Sequence, residues 1–303
     1  MNKEHNFISA VVYVNDEAPQ TLDFFQVLDS CLDKHFFQYE IIAVNALGTQ
    51  RNNGALKKWA RQISKPFTIV NMSSGQPHEQ CMNAGLDIAI GDYVYEFDAA
   101  VMSYPEEIIF QAYETAMLGN DIVTVCPTQE KGASRLFYSI FNQHSGFIYK
   151  LRTDAFRLVS RRALNRVHAI NENLPYRKAA YASCGLNAIE LEFTSSIGKQ
   201  ATKSNNSVDL ALDSLILYTD FGYRFSLGFS LLMLLGTVSM GAYVLVTYFV
   251  GNPINGWTTT MLALIAGLTG LFVILTIVLK YQALTLRLIF QKKKYLVESI
   301  EKL

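Results

Sequence analysis

The stretch Tyr95–Glu107, YEFDAAVMSYPEE, ends a hydrophobic run on one aspartate, Asp98, follows it with Ala99 and Ala100, and then reaches a proline and two glutamates. A carboxylate at such a point could hold a cation or meet a polar ligand. One carboxylate alone is a poor ligand set for Mg²⁺ or Mn²⁺, which take several oxygens in octahedral array. Glu96 does not complete the set, because on a strand it shares the face of Asp98 but sits about 7 Å back along the chain. Other polar residues end neighbouring apolar runs: Asn15, Asp16 and Glu17 after FISAVVYV, Asn45 after YEIIAVN, and Asn71 after FTIVN.

These residues need elements to bring them together. Short β-type runs alternate with helical patterns: FISAVVYV, a helix near 18–35, YEIIAVN, a helix near 53–63, FTIVN, a helix near 77–90, DYVYEFD, a helix near 105–118, and DIVTVCP. That alternation predicts a mainly parallel sheet with helices on both faces. In such a sheet the ligand crevice lies beyond the carboxyl ends of the strands, where the polar residues above fall.

The 303 residues allow one α/β domain and an appendage. The 26 basic and 26 acidic residues cancel, so global charge gives no argument for nucleic acid. Cys31, Cys81, Cys126 and Cys184 form no CxxC pair, which speaks against a zinc site or disulfide framework and for reduced core thiols. From Phe225 to Leu279 there is no Asp, Glu, Lys or Arg. That run suits two spans of roughly 20 residues each, reversed at GNPING. Arg224 precedes it, and Lys280, Arg287 and Lys292–Lys294 follow it, so the positive-inside rule places both flanks in the cytoplasm. The first apolar run stops after FISAVVYV, which is not a signal-peptide pattern, so the large domain is expected to stay cytoplasmic.

The order VVYVNDE, YEIIAVN, HEQCMNAGLDIAIGDYVYEFDAA, YPEEI, FRLVSR, two terminal spans and a basic tail resembles the family 2 glycosyltransferases that load sugars onto polyprenyl phosphates, such as dolichol-phosphate mannose synthases and bactoprenol glucosyltransferases. The resemblance covers nearly the whole chain. It implies a GT-A fold, a Rossmann-like α/β sheet, over residues 1–200. It further implies an amphipathic juxtamembrane helix at 201–224, two spans within 225–282 turning near 251–256, and a basic cytoplasmic tail at 283–303. The implied reaction moves a sugar from a nucleotide sugar to polyprenyl phosphate.

Residue by residue, the resemblance places Asn15, Asp16, Asn45, His78 and Glu79 around the nucleotide and Asp98 at the catalytic and metal position. It places Lys131, Ser134, Arg135 and Arg157 toward the acceptor phosphate, beside the aromatic stretch LFYSIF. The departures are selective. Asn45 and Ala46 stand where the family has two aspartates, Ala100 where it has the second acid of Asp-x-Asp, and Ala155 where it has another, with Asp154 one residue early. The Mg²⁺ or Mn²⁺ that the family pattern implies therefore loses most of its expected ligands. Two readings stay open: an active membrane glycosyltransferase with a weakened or cation-free site, and an inactive pseudo-glycosyltransferase serving as a binding or scaffold subunit. A homo-oligomer and a partner membrane protein are both compatible with the second.

Overall fold

The computed structural model describes residues 3–15, 19–47, 54–73, 75–128, 138–139, 142–143, 149–170, 176–194, 221–251, 256–289 and 295–303. Asp16, Lys131, Ser134, Arg135, residues 201–220 of the expected juxtamembrane helix, residues 252–255 of the turn and Lys292–Lys294 lie outside the described residues.

The chain begins in the expected alternation: β1 (Ile8–Val14), α1 (Pro19–His35), β2 (Tyr39–Asn45), α2 (Gly54–Ala60), β3 (Phe67–Met72), α3 (His78–Ile88), β4 (Tyr93–Phe97), α4 (Glu107–Met117) and β5 (Ile122–Pro127). It continues with β6 (Phe156–Ser160), α5 (Arg161–Ile170), α6 (Arg177–Ser183) and β7 (Ala188–Phe193). Two long helices follow, α7 (Phe221–Val250) and α8 (Trp257–Ile289), and then β8 (Val297–Lys302).

The eight strands form one sheet in the order β7-β5-β6-β4-β1-β2-β3-β8. β1 pairs in parallel with β2 and β4, β2 with β3, and β5 with β7. β6 runs antiparallel between β4 and β5, and β8 runs antiparallel along β3. The mainly parallel α/β sheet is the expected fold class. Chain order reverses direction in the sheet between β1 and β4, so the crevice at their carboxyl ends is the topological switch point.

Period-two alternation divides the side chains between two buried faces. Ile8, Ala10, Val12, Tyr95 and Phe97 join Phe24, Phe25, Leu28, Ile109 and Ala112 of α1 and α4 in one apolar cluster. Val11, Val44, Val94 and Val159 join Cys81, Met82, Leu164 and Tyr181 of α3, α5 and α6 in the other. All four cysteines are free and buried. Contact between α3 and the sheet depends on Gly85, where an added Cβ would lie 2.5 Å from Val44 Cγ2 and 2.6 Å from Val11 Cγ1.

One expected boundary is corrected. Residues 283–303 are not a simple tail: α8 continues to Ile289, and the chain then returns to the sheet as β8. Backbone pairing from Thr68↔Lys302 to Met72↔Val297 holds it there. Lys57 Nζ reaches Glu301 at 2.9 Å, and the Asn71 amide donates to Ser299 and Glu301 at 2.9 Å each. Residues 1–207 and 290–303 accordingly form one compact unit and residues 208–289 another.

In the second unit, Leu231–Val250 and Trp257–Gln282 have mean hydropathies of 1.8 and 2.7, and both helices are long and apolar enough to cross a membrane. The hydroxyls of Thr247, Thr269 and Thr276 donate to the helix carbonyl four residues earlier, and that of Thr260 to the Gly256 carbonyl just before α8, at 2.8 or 2.9 Å.

Gly85→Ala should destabilise the α/β unit by about 1–3 kcal/mol through overpacking against Val11 and Val44, read as a lower midpoint of denaturant unfolding in detergent. A change within error would mean that α3 can withdraw from the sheet at little cost.

Candidate active site

β4 carries Glu96 to the face covered by α3 and α6, and ends one residue before Asp98. A carboxylate buried in the middle of a central strand is costly unless paired and hydrogen-bonded. Glu96 has no exposed side-chain surface, and its partners are two buried arginines and a tyrosine. Arg157 of β6 donates from Nη1 to Glu96 Oε2 at 3.0 Å, and Arg177, the first residue of α6, donates from Nη1 to the same oxygen at 2.6 Å. The Tyr181 hydroxyl, one turn further along α6, donates to Glu96 Oε1.

The outer edges of the same guanidinium groups hold Asp98. Arg177 Nη2 donates to Oδ1 at 2.5 Å and Arg157 Nη2 to Oδ2 at 3.1 Å, so each carboxylate oxygen has a guanidinium partner. Arg177 Nε donates to Glu79 Oε2 at 2.8 Å, and the backbone N–H of Arg177 reaches that oxygen at 3.2 Å. Arg157 Nε and Nη2 donate to Asp154 Oδ2 at 3.0 and 2.7 Å, and Lys178 pairs with the other Asp154 oxygen. Four carboxylates thus meet three cations. The His78 ring closes the crevice side: Nε2 lies 3.1 Å from the Asp98 carbonyl oxygen and 3.7 Å from Oδ1, and the ring packs edge-on against Tyr13 at 4.3 Å between centroids.

The electrostatics follow from this wiring. Burial raises the Asp98 carboxyl, but Arg177 and then Arg157, with His78 and Lys178, outweigh it and hold the group well below the usual carboxylate range. At Glu96 burial wins: the carboxyl lies above its ordinary value despite Arg177, Arg157 and the Tyr181 hydrogen bond. Burial lowers the Lys178 ammonium, but Asp154 more than compensates and its affinity for a proton rises.

Several sequence-derived assignments change. Arg157 is 2 % exposed and engaged by Glu96, Asp98 and Asp154, so it does not reach an acceptor phosphate. Glu79 is buried against Arg177 and faces the interior rather than a nucleotide. Asn45 is also buried: its Oδ1 accepts the Leu47 N–H at 3.1 Å and its amide donates to Asn71 Oδ1 at 2.8 Å, which makes it a strand-end cap linked to β3 and β8. Asp154, one residue before Ala155, has a buried side chain held by Arg157 and Lys178. Asn15 lies exposed at the end of β1, on the crevice side with His78 and Asp98.

Sequence reasoning missed Arg177, Lys178 and Tyr181. Their signal was the adjacent pair of cations in YRKAAYA, in an otherwise small and apolar helix.

The residues do not fit a divalent cation at Asp98. Both oxygens already accept from guanidinium groups whose charge repels a metal ion, and Ala99 and Ala100 offer no side-chain ligand. Ala100 belongs to the apolar cluster on the α1 and α4 side. Among the described residues, no group of three or more His, Cys, Asp or Glu side chains could hold a metal ion.

With this geometry in view, comparison with known proteins shows what the chain is similar to. Over 266 residues the chain is 21 % identical to the uncharacterized glycosyltransferase YkcC of Bacillus subtilis, covering 84 % of this chain and 82 % of that protein. Over 276 residues it is 24 % identical to an uncharacterized glycosyltransferase of Synechocystis, covering 85 % and 84 %. Among solved structures, the mannosyltransferase PcManGT from Pyrobaculum calidifontis, in complex with GDP-Man and Mn²⁺, aligns with a TM-score of 0.49 and 15 % identity over 94 % of this chain and 88 % of that one. Glucosyl-3-phosphoglycerate synthase from Mycobacterium tuberculosis, with Mn²⁺, UDP and phosphoglyceric acid, aligns with a TM-score of 0.49 and 11 % identity over 70 % and 76 %. No protein-family profile matches the chain. The chain is similar over most of its length to glycosyltransferases, and its sheet is a mainly parallel α/β sheet.

Arg177→Met should cost about 3–5 kcal/mol of stability, because Glu79, Glu96 and Asp98 lose a shared buried cation, and Arg177→Lys should cost less. Thermal unfolding in detergent checks both. The pH dependence follows from the two opposed carboxyls. Asp98, held low in the folded state, contributes stability that is complete above its unfolded value of about 3.9 and is lost as pH falls below it. Glu96, held high, contributes in the opposite sense, its contribution declining as pH rises through its folded value. Asp98→Asn should therefore flatten the acid limb of the Tm against pH curve, and Glu96→Gln should steepen it.

Proposed function

We propose that this protein is a membrane-bound glycosyltransferase of lipid-linked glycan assembly, transferring a sugar from a nucleotide sugar to polyprenyl phosphate. One observation carries the reading: polar side chains gather at the switch point of a mainly parallel α/β sheet in the same chain as two helices long and apolar enough to cross a membrane. In the reaction, an oxygen of the acceptor phosphate forms a bond to the anomeric carbon as the bond from that carbon to the nucleotide diphosphate breaks. The acceptor is already an anion, so no strong general base is required. Asn15 and His78 lie on the donor side of the crevice. Lys131, Ser134 and Arg135 are the proposed acceptor-phosphate residues, through charge-assisted hydrogen bonds.

The return of the chain to the sheet supports the topology. β8 follows the second long helix and pairs with β3, so both ends of the helical hairpin belong to one folded sheet, and a sheet cannot straddle a bilayer. Together with the basic flanks, this supports a cytoplasmic position for the α/β unit and β8.

A second reading is favoured by the saturation of Asp98: a pseudo-glycosyltransferase that keeps the fold and serves as a binding or scaffold subunit.

The deciding experiment incubates the detergent-purified chain with radiolabelled UDP-glucose or GDP-mannose and polyprenyl phosphate. Label appearing in the organic phase supports the enzyme, and replacing Lys131 and Arg135 by alanine should then reduce transfer at least tenfold. No transfer, together with no calorimetric binding of UDP or GDP, selects the scaffold. For topology, the four native cysteines are buried, so single new cysteines report cleanly. An impermeant thiol reagent applied outside cells should label Asn255→Cys and leave Lys302→Cys unlabelled, and the reverse pattern would overturn the orientation.

A further inference from the structure

A divalent cation at a strand-end carboxylate does two things: it fixes the carboxylate and it sets the local charge. Here both are done by protein groups. Arg157 and Arg177 come from different elements, β6 and α6, and lie side by side, sharing Glu96 Oε2 on their inner edge and dividing the two oxygens of Asp98 on their outer edge. Neither side chain is more than 2 % exposed, whereas that of Asp98 is 28 % exposed and forms the crevice surface of the network. Guanidinium groups cannot lose their charge at physiological pH, so the pair is a permanent cation. Ala100 fits the same account, since it belongs to the apolar cluster on the α1 and α4 side, where an acid would be buried among core side chains.

We infer that the Arg157–Arg177 pair stands where a divalent cation would otherwise be held, so that Asp98 is a positioning residue fixed by arginine and the crevice takes a nucleoside diphosphate without metal. The part concerning the nucleotide rests on the glycosyltransferase reading, whereas the exclusion of metal rests on the residues alone. Removing Arg177 should unmask the acids: Asp98, Glu79 and Glu96 would then surround an uncompensated space that attracts a cation.

The test begins with Mn²⁺ alone, titrated into the purified full chain in detergent and followed by the electron paramagnetic resonance signal of the free ion. The expected result is binding no tighter than millimolar, unchanged in Asp98→Asn, and at least tenfold tighter in Arg177→Gln but not in Arg177→Lys. Micromolar binding by the unaltered chain that Asp98→Asn abolishes would overturn the inference, and so would a folded Arg177→Gln chain with unchanged affinity. If Arg177→Gln does not fold, the comparison of the unaltered chain with Asp98→Asn still decides. In a second arm, UDP and GDP are titrated in EDTA and in Mn²⁺. Affinities equal within twofold support a metal-free crevice, and a tenfold or greater gain with Mn²⁺ refutes it. Failure of both nucleotides to bind under either condition counts against the proposed function and leaves the Mn²⁺ titration to judge the metal.

Discussion

A glutamate buried in a central strand is the constraint on which the α/β unit is organised. Glu96 is enclosed on a sheet face that α3 and α6 cover, and water cannot solvate it there. Its charge obliges cations to be brought in from elsewhere in the chain. Arg157 arrives because β6 inserts antiparallel beside β4, and Arg177 because α6 starts over the same face. Two guanidinium groups on one glutamate leave an excess positive charge, which Asp98, Glu79 and Asp154 meet, with Lys178 after them. Buried networks of this kind add little net stability, because desolvation offsets most of the attraction. Their effect is on specificity: β4, β6, α3 and α6 have one arrangement in which every charge is met.

The same wiring decides what the crevice can do. A metal-dependent site needs carboxylates that are fixed but unclaimed, and here Asp98 is fixed because it is claimed. Asn45 has similarly left the surface, spending its amide on Asn71 and its carbonyl on the following turn. The acids and amides at these strand ends, Asp98 and Asn45, are held by protein partners.

Much of this was legible in the sequence. The alternation through β5 is a strong signal because each element there buries a whole face, and the run of α7 and α8 is one because so long a stretch carries no charge. Later strands were harder. β6 has five residues, β7 is half exposed, and β8, VESIEK, is mostly polar with apolar residues only at Val297 and Ile300, which let it pass as part of a basic tail. The roles of Arg157 and Arg177 were obscured for a different reason: a charge pair distant in sequence has no local period. The clue was indirect. A central parallel strand is buried on both faces, so YVYEF already required a cation for its glutamate, and YRKAAYA offered two.

The position of β8 also fixes an order of assembly. β3 has no neighbour on its outer side until the chain beyond both long helices has emerged, so a folding intermediate carries an open edge whose backbone N–H and C=O groups are unpaired. Synthesis proceeds from the amino terminus, and the apolar hairpin is made before the strand that closes the sheet. The strand that closes this edge is therefore the last element of the α/β unit to be synthesised. A chain in which Val297–Lys302 failed to return to the sheet would leave β3 open for pairing with another chain.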